Sequence, residues 1–344
     1  MKAPTPPTSL ARRRRDFPRS PARQRGIAML VAILLVALGT ILAADIAYKS
    51  AMSARRATAT LSFDEALLVT QGAEAFAAYG LKTVMQQSKA GTSGVADVYA
   101  TQPYFQPLGP LEVVPGVTLE ANLEDMQGRF NLNWLVGYTG VTAGKPDPIA
   151  LEAFKKLLEL SQVDPKWADM VVDWIDRDNQ PQTQGAEDSA YMGQNPPYLA
   201  ANEYITSTTE LLALPGFGRE NYEKLAPYIA ALPPATTLNI CTAKGRVLDA
   251  FNTNSTEWED EAALQKNRTS APGCFPDTAA YGASFGDATK FGNVSNRYFK
   301  QTSAYFRLSS LVTIGSAEFN LYSLLLLDNK GYFVHPIQRS FSPD

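Results

Sequence analysis

The stretch RQRGIAMLVAILLVALGTILAADIAYKS, residues 23–50, carries no charge from Gly26 to Ala44, between Arg25 and Asp45. As a helix it rises about 28 Å, enough to cross the hydrocarbon core of a bilayer. Seven arginines and one lysine precede the run against a single acid, Asp16. This positive-inside bias leaves the N-terminus in the cytoplasm and sends everything after Asp45 across the membrane. The fold must therefore be built outside the cytoplasm, from the residues beyond Asp45.

Three kinds of processing compete. A secretory signal has a shorter apolar core before its small-residue cleavage site, here Leu42-Ala43-Ala44. Arg14 to Phe17 (RRDF) offers a faint twin-arginine pattern. The third reading is a cut after Gly26 that keeps the whole run. No proline occurs between Pro21 and Pro103, and past Asp45 the chain continues with helix formers and spaced apolar residues, among them Ile46, Met52, Leu61, Leu67, Leu68 and Phe76. One helix over 27–88 is predicted, membrane-spanning over 27–45 and amphipathic over 46–88. A cut near Ala44 would discard half of it.

A basic leader (1–26) ending in glycine, with an apolar helix beginning at once, resembles the prepilins. The resemblance implies a prepilin peptidase that cuts between Gly26 and Ile27. Most prepilins carry Glu at the fifth mature position, which pairs with the N-terminal ammonium of a neighbouring subunit; here it is Val31. A carboxylate in hydrocarbon is costly unless paired, so a subunit without it either stays out of the filament or has no neighbour to pair with.

Composition bounds the rest. The chain has 344 residues, 45% hydrophobic and 10% aromatic, which leaves about 250 residues for one or two cores outside the membrane. The formal charge of −3 hides an asymmetry: residues 1–26 hold eight bases and one acid, leaving 23 bases against 33 acids, about −10. Such a surface does not invite nucleic acid. The two cysteines, Cys241 and Cys274, are either a bridge or two buried thiols, and an oxidising compartment favours the bridge.

Residues 89–116, rich in Gly and Pro, read as irregular linker. Val117, Leu119, Ala121 and Leu123 then alternate with polar residues as a half-buried strand. Ala304–Ile314 and Glu318–Leu327 are β-rich, and DNKG (Asp328–Gly331) turns the chain into a strand over Tyr332–Ile337. Between these strands the pattern is helical. DPIALEAFKKLLELSQVD (147–164) gathers Ile149, Phe154, Leu157, Leu158 and Leu160 near one face, and Asp164-Pro165 signals the start of a second helix. Two short helices flank Leu214-Pro215-Gly216-Phe217-Gly218, a turn similar to a helix-hairpin-helix. Arg219 and Lys224 there compete with Glu210, Glu220 and Glu223, so packing is favoured over DNA binding.

The most chemical stretch is DWIDRDNQPQTQGAEDSAY (173–191). Counted from Asp176, oxygen-bearing side chains fall at positions 1 (Asp176), 3 (Asp178), 5 (Gln180) and 12 (Glu187), the ligand spacing of a calcium loop, although position 6 is Pro181 rather than glycine. Asp173 and Asp188 bring the acids to five against one base, Arg177. With no His or Cys in the stretch, the choice is between a hard cation, calcium first, and a solvated acidic loop. Catalysis has little to build on. The only histidine, His335, falls in the last strand, and the acids cluster without a partner site.

The ordered set DMQGRFNLNWL (125–135), DWIDRD (173–178), GAEDSAY (185–191), PPY (196–198), ELLALPGFG (210–218) and LNICTA (238–243) resembles the K-type minor pseudopilin of the type II secretion system, with Cys241 where that family usually has Asn. The resemblance implies an α+β, pilin-like fold, a long N-terminal helix packed on an antiparallel sheet, with a large inserted all-α domain that binds calcium. The pilin-like part would take 89–129 and 281–344 and the insert 130–280. It also implies a single-pass subunit of the bacterial inner membrane with its C-terminal domain in the periplasm. Its partners would be the I- and J-type minor pseudopilins, with which it forms a tip that initiates and caps the pseudopilus, together with the major pseudopilin, the prepilin peptidase and the inner-membrane secretion platform. Nucleic acid is not expected as a partner, nor enzymatic activity. A minor or tip subunit of a type IV pilus is the nearest other reading, and a DNA-uptake receptor using the hairpin a more distant one.

Overall fold

The computed structural model describes residues 25–89, 98, 100–140, 143–252, 258–268, 273–275, 281–282, 288–328 and 333–343. The basic leader before Arg25 and the turn at 329–331 lie outside the described residues. A single helix, α1, runs from Arg25 to Lys89. Along it Thr58, Thr60 and Thr83 donate their hydroxyls to carbonyls four residues back. Two compact units divide at Ser62 and Phe63. In the first, the apolar side chains from Ile27 to Leu42 are exposed, and this is the one helix among the described residues long and apolar enough to cross a membrane. In the second, α1 buries Ala66, Thr70, Ala73, Glu74 and Leu81, a face of three- and four-residue steps. Leu68 and Phe76, expected on an apolar face, are exposed. The helix packs into the sheet's core through Ala66, Ala73 and Leu81 instead.

Following α1, the chain forms strands β1 (Leu108–Val114) and β2 (Val117–Asp125). Strand β1 corrects the linker expected over 89–116. All seven of its residues are exposed, and it contains Gly109-Pro110 and two register shifts, so no alternation marks it in the sequence. Within the insert, β3 (Phe130–Asn131) pairs parallel with β4 (Ile229–Ala230), and β5 (Leu238–Asn239) with β6 (Phe299–Lys300). Strands β7 (Tyr305–Ile314), β8 (Ala317–Leu327) and β9 (Val334–Ser340) complete an antiparallel sheet of order β1-β2-β7-β8-β9. Pairing of β2 with β7 is unbroken from Val117↔Ile314 to Asp125↔Phe306, and the inward residues Val117, Leu119, Leu123, Phe306, Leu308 and Val312 form one core with α1. Buried Glu74 accepts two hydrogen bonds from the Arg339 guanidinium, at 2.8 and 2.6 Å, and one from the Ser323 hydroxyl, so α1 is fixed to β8 and β9 by charge as well as by packing.

The insert is a second core. Its helices are α2 (Pro148–Leu160), α3 (Trp167–Ile175), α4 (Asp188–Tyr191), α5 (Gly218–Leu225), α6 (Gly245–Phe251), α7 (Glu261–Asn267) and α8 (Ala288–Tyr298). Asp147 caps α2, accepting from the N–H groups of Ile149 and Ala150 at 3.0 and 3.1 Å. Asp164 instead caps the turn before α3, accepting from Lys166 N at 3.0 Å, and α3 begins at Trp167. Around Phe130 the rings of Trp134, Phe154 and Phe251 pack with centroids 5.3, 5.3 and 5.8 Å away. Tyr281, Val294, Tyr298 and Phe299 belong to this core. The expected boundary at 280 therefore falls short: the insert's packing continues to Phe299, and the sheet resumes at Tyr305.

Where the two cores meet, Asp125 at the end of β2 is a buried hub. It accepts from Gln127 N (2.9 Å), Asn239 Nδ2 (3.0 Å), Thr242 Oγ1 (2.5 Å) and Ser303 Oγ (2.6 Å). Burial pushes its carboxyl above the ordinary range against the pull of these donors. This carboxylate is one of several joins between sheet and insert; Gln127 bridges Thr237 and Ala304, and Tyr305 and Leu324 of the sheet pack on Met126, Ala230 and Leu232. Cys241 and Cys274, both buried with Cα atoms 4.6 Å apart, form a disulfide that ties the start of the α6 segment to the chain ahead of α8.

Candidate metal centre

The acidic stretch is shaped by α3 and the loop that leaves it. Asp173 lies in the last turn of α3 and Asp176 caps its C-terminus, three residues on and along the same side. The loop returns to place Glu187 at the N-cap of α4. One oxygen from each of Asp173, Asp176 and Glu187 then lies within 4.8 Å of the others, and all three residues are buried. Neither carboxylate oxygen of Asp176, and neither of Glu187, has a hydrogen-bond partner. Leaving buried carboxylates undonated is costly, and it shows in their protonation. Burial, then the charges of Asp178 and Asp173, pushes the Asp176 carboxyl up to about 7. Burial and the surrounding acids, Asp173 first, push Glu187 to about 7. Asp173 rises to about 6 by burial, held back by hydrogen bonds from the main chain of Gln182 and Ala186.

Arg177, the one base in the stretch, does not relieve this. Its guanidinium faces Glu203, with both carboxylate oxygens at 2.9 Å. Three buried, all-oxygen, mutually repelling carboxylates suit a hard cation bound by several oxygens at 2.3–2.6 Å, which is calcium chemistry. A cleft of about 480 Å³ lined by Val136, Tyr138, Asp176, Asp178 and Tyr204 opens beside Asp176.

Of the six ligands expected from the sequence, the structure brings together Asp173, Asp176 and Glu187. Asp178 is exposed, and its Oδ1 accepts from Gln180 N at 2.9 Å; it acts on the others through charge. Gln180 is exposed, and its own N–H donates to Asp178 Oδ1. The calcium-loop spacing calls for glycine at position 6, where this chain has Pro181. Asp188 opens α4, and its Oδ1 accepts from Ala200 N at 3.1 Å. Sequence reasoning missed Asp169, one turn before Asp173 on α3, and Tyr191, whose buried hydroxyl has no partner and whose phenol is raised by burial and by the charge of Asp173. Acids four apart on one helix were the available signal for Asp169.

The other sequence candidates sit elsewhere. Gly26 and Ile27 are exposed in the first turn of α1. His335 is exposed on β9, paired with Leu326. In the hairpin turn Gly216 and Gly218 take φ of +84° and +74°, a region open to glycine, and they turn Phe217 inward, edge-on to Trp167 at 5.3 Å. The segment before this turn is a 3-10 helix (Thr208–Ala213), more tightly wound than an α-helix, with a Ser207–Glu210 capping box. Arg219 and Lys224 are paired with Glu223 and Glu220. The turn is a packing device, with its basic residues already matched.

Comparison with known proteins fits this architecture. Residues 128–234, which contain the three clustered carboxylates, match the family model of type II secretion system protein K. The type II secretion system protein K of Pseudomonas aeruginosa is 30% identical over 312 residues, covering 88% of each chain. That of Klebsiella pneumoniae is 34% identical over 218 residues, 62% of this chain and 64% of the relative. A solved structure, the GspK-GspI-GspJ complex from enterotoxigenic Escherichia coli, matches the fold with a TM-score of 0.69 at 22% identity, covering 84% of this chain and all of the matched one. An apolar N-terminal helix, a pilin-like sheet and an inserted helical domain thus coincide with relatives that match along most of the chain, and the chain belongs to the type II secretion system protein K family, the minor pseudopilins of that system.

Proposed function

We propose that this minor pseudopilin is anchored in the bacterial inner membrane by α1, with everything after Asp45 in the periplasm, and that it joins I- and J-type minor pseudopilins in a complex at the tip of the pseudopilus. The observation that carries the tip position is the apolar run itself. From Gly26 to Ala44 it holds no carboxylate, so it cannot pair with the N-terminal ammonium of a subunit above it. A subunit so made, carrying a large insert, is suited to initiating and capping rather than to the filament body. The matched structure is a GspK-GspI-GspJ complex, which supports the choice of partners. The role is structural, and the carboxylate cluster serves it by binding calcium, which neutralises Asp173, Asp176 and Glu187 and orders the surface that partners meet. Deleting the gene should leave exoproteins in the periplasm. Re-expression of the wild-type chain should restore export, and a chain with Val31→Glu should restore it less well. Undiminished export in the deletion strain would refute the proposal.

A further inference from the structure

We infer that Gly185 and the Lys155–Asp169 ion pair are positioning elements of the cation site, acting through Asp173; the inference rests on the calcium reading above. The three clustered carboxylates are not held alike. Asp176 and Glu187 have no donors, whereas both oxygens of Asp173 lie 3.1 Å from Gln182 N, and Ala186 N also donates to it. The direction of Asp173 is therefore set by the loop wrapped around it. That loop closes at Gly185. A Cβ there would stand 1.8 Å from Asp173 Oδ2, 2.6 Å from its Cγ and 2.9 Å from Gln182 N. The backbone of Gly185 is not in the left-handed region, so it is space that excludes a side chain.

The same loop has a second attachment one turn back along α3. Asp169 accepts from Gln184 N at 3.3 Å, and its other oxygen meets Lys155 Nζ at 2.7 Å. Lys155 belongs to α2. Residues 182–186 are thus hung from two acids of α3, and one of these is fixed to the neighbouring helix. Alanine at 185 must turn the Asp173 carboxylate away from Asp176 and Glu187, and loss of the ion pair must let the loop drift. Groups that orient a ligand without touching the ion typically change affinity by about 10- to 100-fold.

The test is calorimetric titration of calcium into the full chain in detergent micelles, for the wild type, Gly185→Ala, Lys155→Met and Lys155→Arg. Gly185→Ala should weaken calcium at least about tenfold. Lys155→Met should also weaken it, and Lys155→Arg should keep wild-type affinity. The lysine variant separates positioning from charge: removing a cation beside an acidic site would by itself tighten calcium, so a looser constant follows only from loss of position. If Gly185→Ala fails to fold, the lysine pair decides. Wild-type affinity in Gly185→Ala, or equal or tighter binding in Lys155→Met, overturns the inference while leaving the calcium site standing. No heat of calcium binding by the wild type overturns the calcium reading itself and the inference with it.

Discussion

Removing calcium should invert the usual relation between pH and stability in the insert. Asp176 and Glu187 are held at about 7 and Asp173 at about 6, above the ordinary carboxylate range, because burial and mutual repulsion oppose their charged forms. In the absence of metal the folded chain binds more protons than the unfolded chain from about pH 4 to pH 7, so stability falls as pH rises through that window and levels off above it. A carboxyl held near 7 rather than near 4 costs on the order of 4 kcal/mol at pH 8, and the three costs overlap because each repels the others. About half of that cost is already present at pH 5.5, so each such carboxyl contributes about 2 kcal/mol, or roughly 4 to 8 °C in melting temperature for a domain of the insert's size, between pH 5.5 and pH 8. Calcium takes the place of the protons. At a hundredfold excess over its dissociation constant it adds about 2.7 kcal/mol, or about 5 to 10 °C, most at pH 8 and least at pH 5.5. The assay is intrinsic fluorescence of the chain in detergent micelles, because all four tryptophans, Trp134, Trp167, Trp174 and Trp258, belong to the insert's core. Asp176→Asn should flatten the pH dependence in chelator, melt above the wild type at pH 8 and lose the calcium response. Identical wild-type melting at pH 5.5 and pH 8 in chelator, with no change on adding calcium, would show that the cluster is solvated and the electrostatic reasoning wrong.

Three other outcomes are expected. Intact-mass measurement of the membrane-extracted chain should place the N-terminus at Ile27, and Gly26→Val should leave the precursor uncut; a mature chain starting near Asp45 contradicts the prepilin reading. The Cys241–Cys274 bridge spans a sequence separation of 33, for which chain entropy gives roughly 3 to 4 kcal/mol; Cys241→Ser with Cys274→Ser should lose about that much in denaturant titration. Phe217→Ala should cost about 3 to 5 kcal/mol by emptying the contact with Trp167, while the wild type shows no salt-dependent affinity for duplex DNA in fluorescence anisotropy.

The anchor and the long helix were legible because an uncharged run set within some eighty residues without proline leaves the backbone few alternatives. Strands β2 and β7 were legible because one face is buried and alternation follows. Strand β1 was not, since a strand exposed on both faces and broken by Gly109-Pro110 needs no alternation. Which side of α1 packs was also hidden. Large apolar residues mark a face in sequence, yet the sheet takes Ala66, Ala73 and Leu81 while Leu68 and Phe76 stay exposed. In the site, the spacing of acids found Asp173, Asp176 and Glu187. The calcium-loop template presumes a glycine at position 6, where this chain has Pro181, and Asp178 at its position 3 is exposed on the loop. Gly185 and Asp169 depend on how the loop closes over α3, which spacing does not encode. The insert's far end escaped for a similar reason: Tyr281, Tyr298 and Phe299 are assigned by the rings they meet across the core.

The central claim, that this chain completes a minor-pseudopilin complex through a calcium-ordered periplasmic domain, is tested most directly by sedimentation velocity. The mature chain would be mixed in detergent with I- and J-type minor pseudopilins, in calcium, in chelator, and in calcium with duplex DNA as competitor. The account predicts one ternary species with one copy of each subunit in calcium, unaffected by DNA and weakened by chelator. Three independent sedimenting species in calcium, or displacement of the partners by DNA, would contradict it.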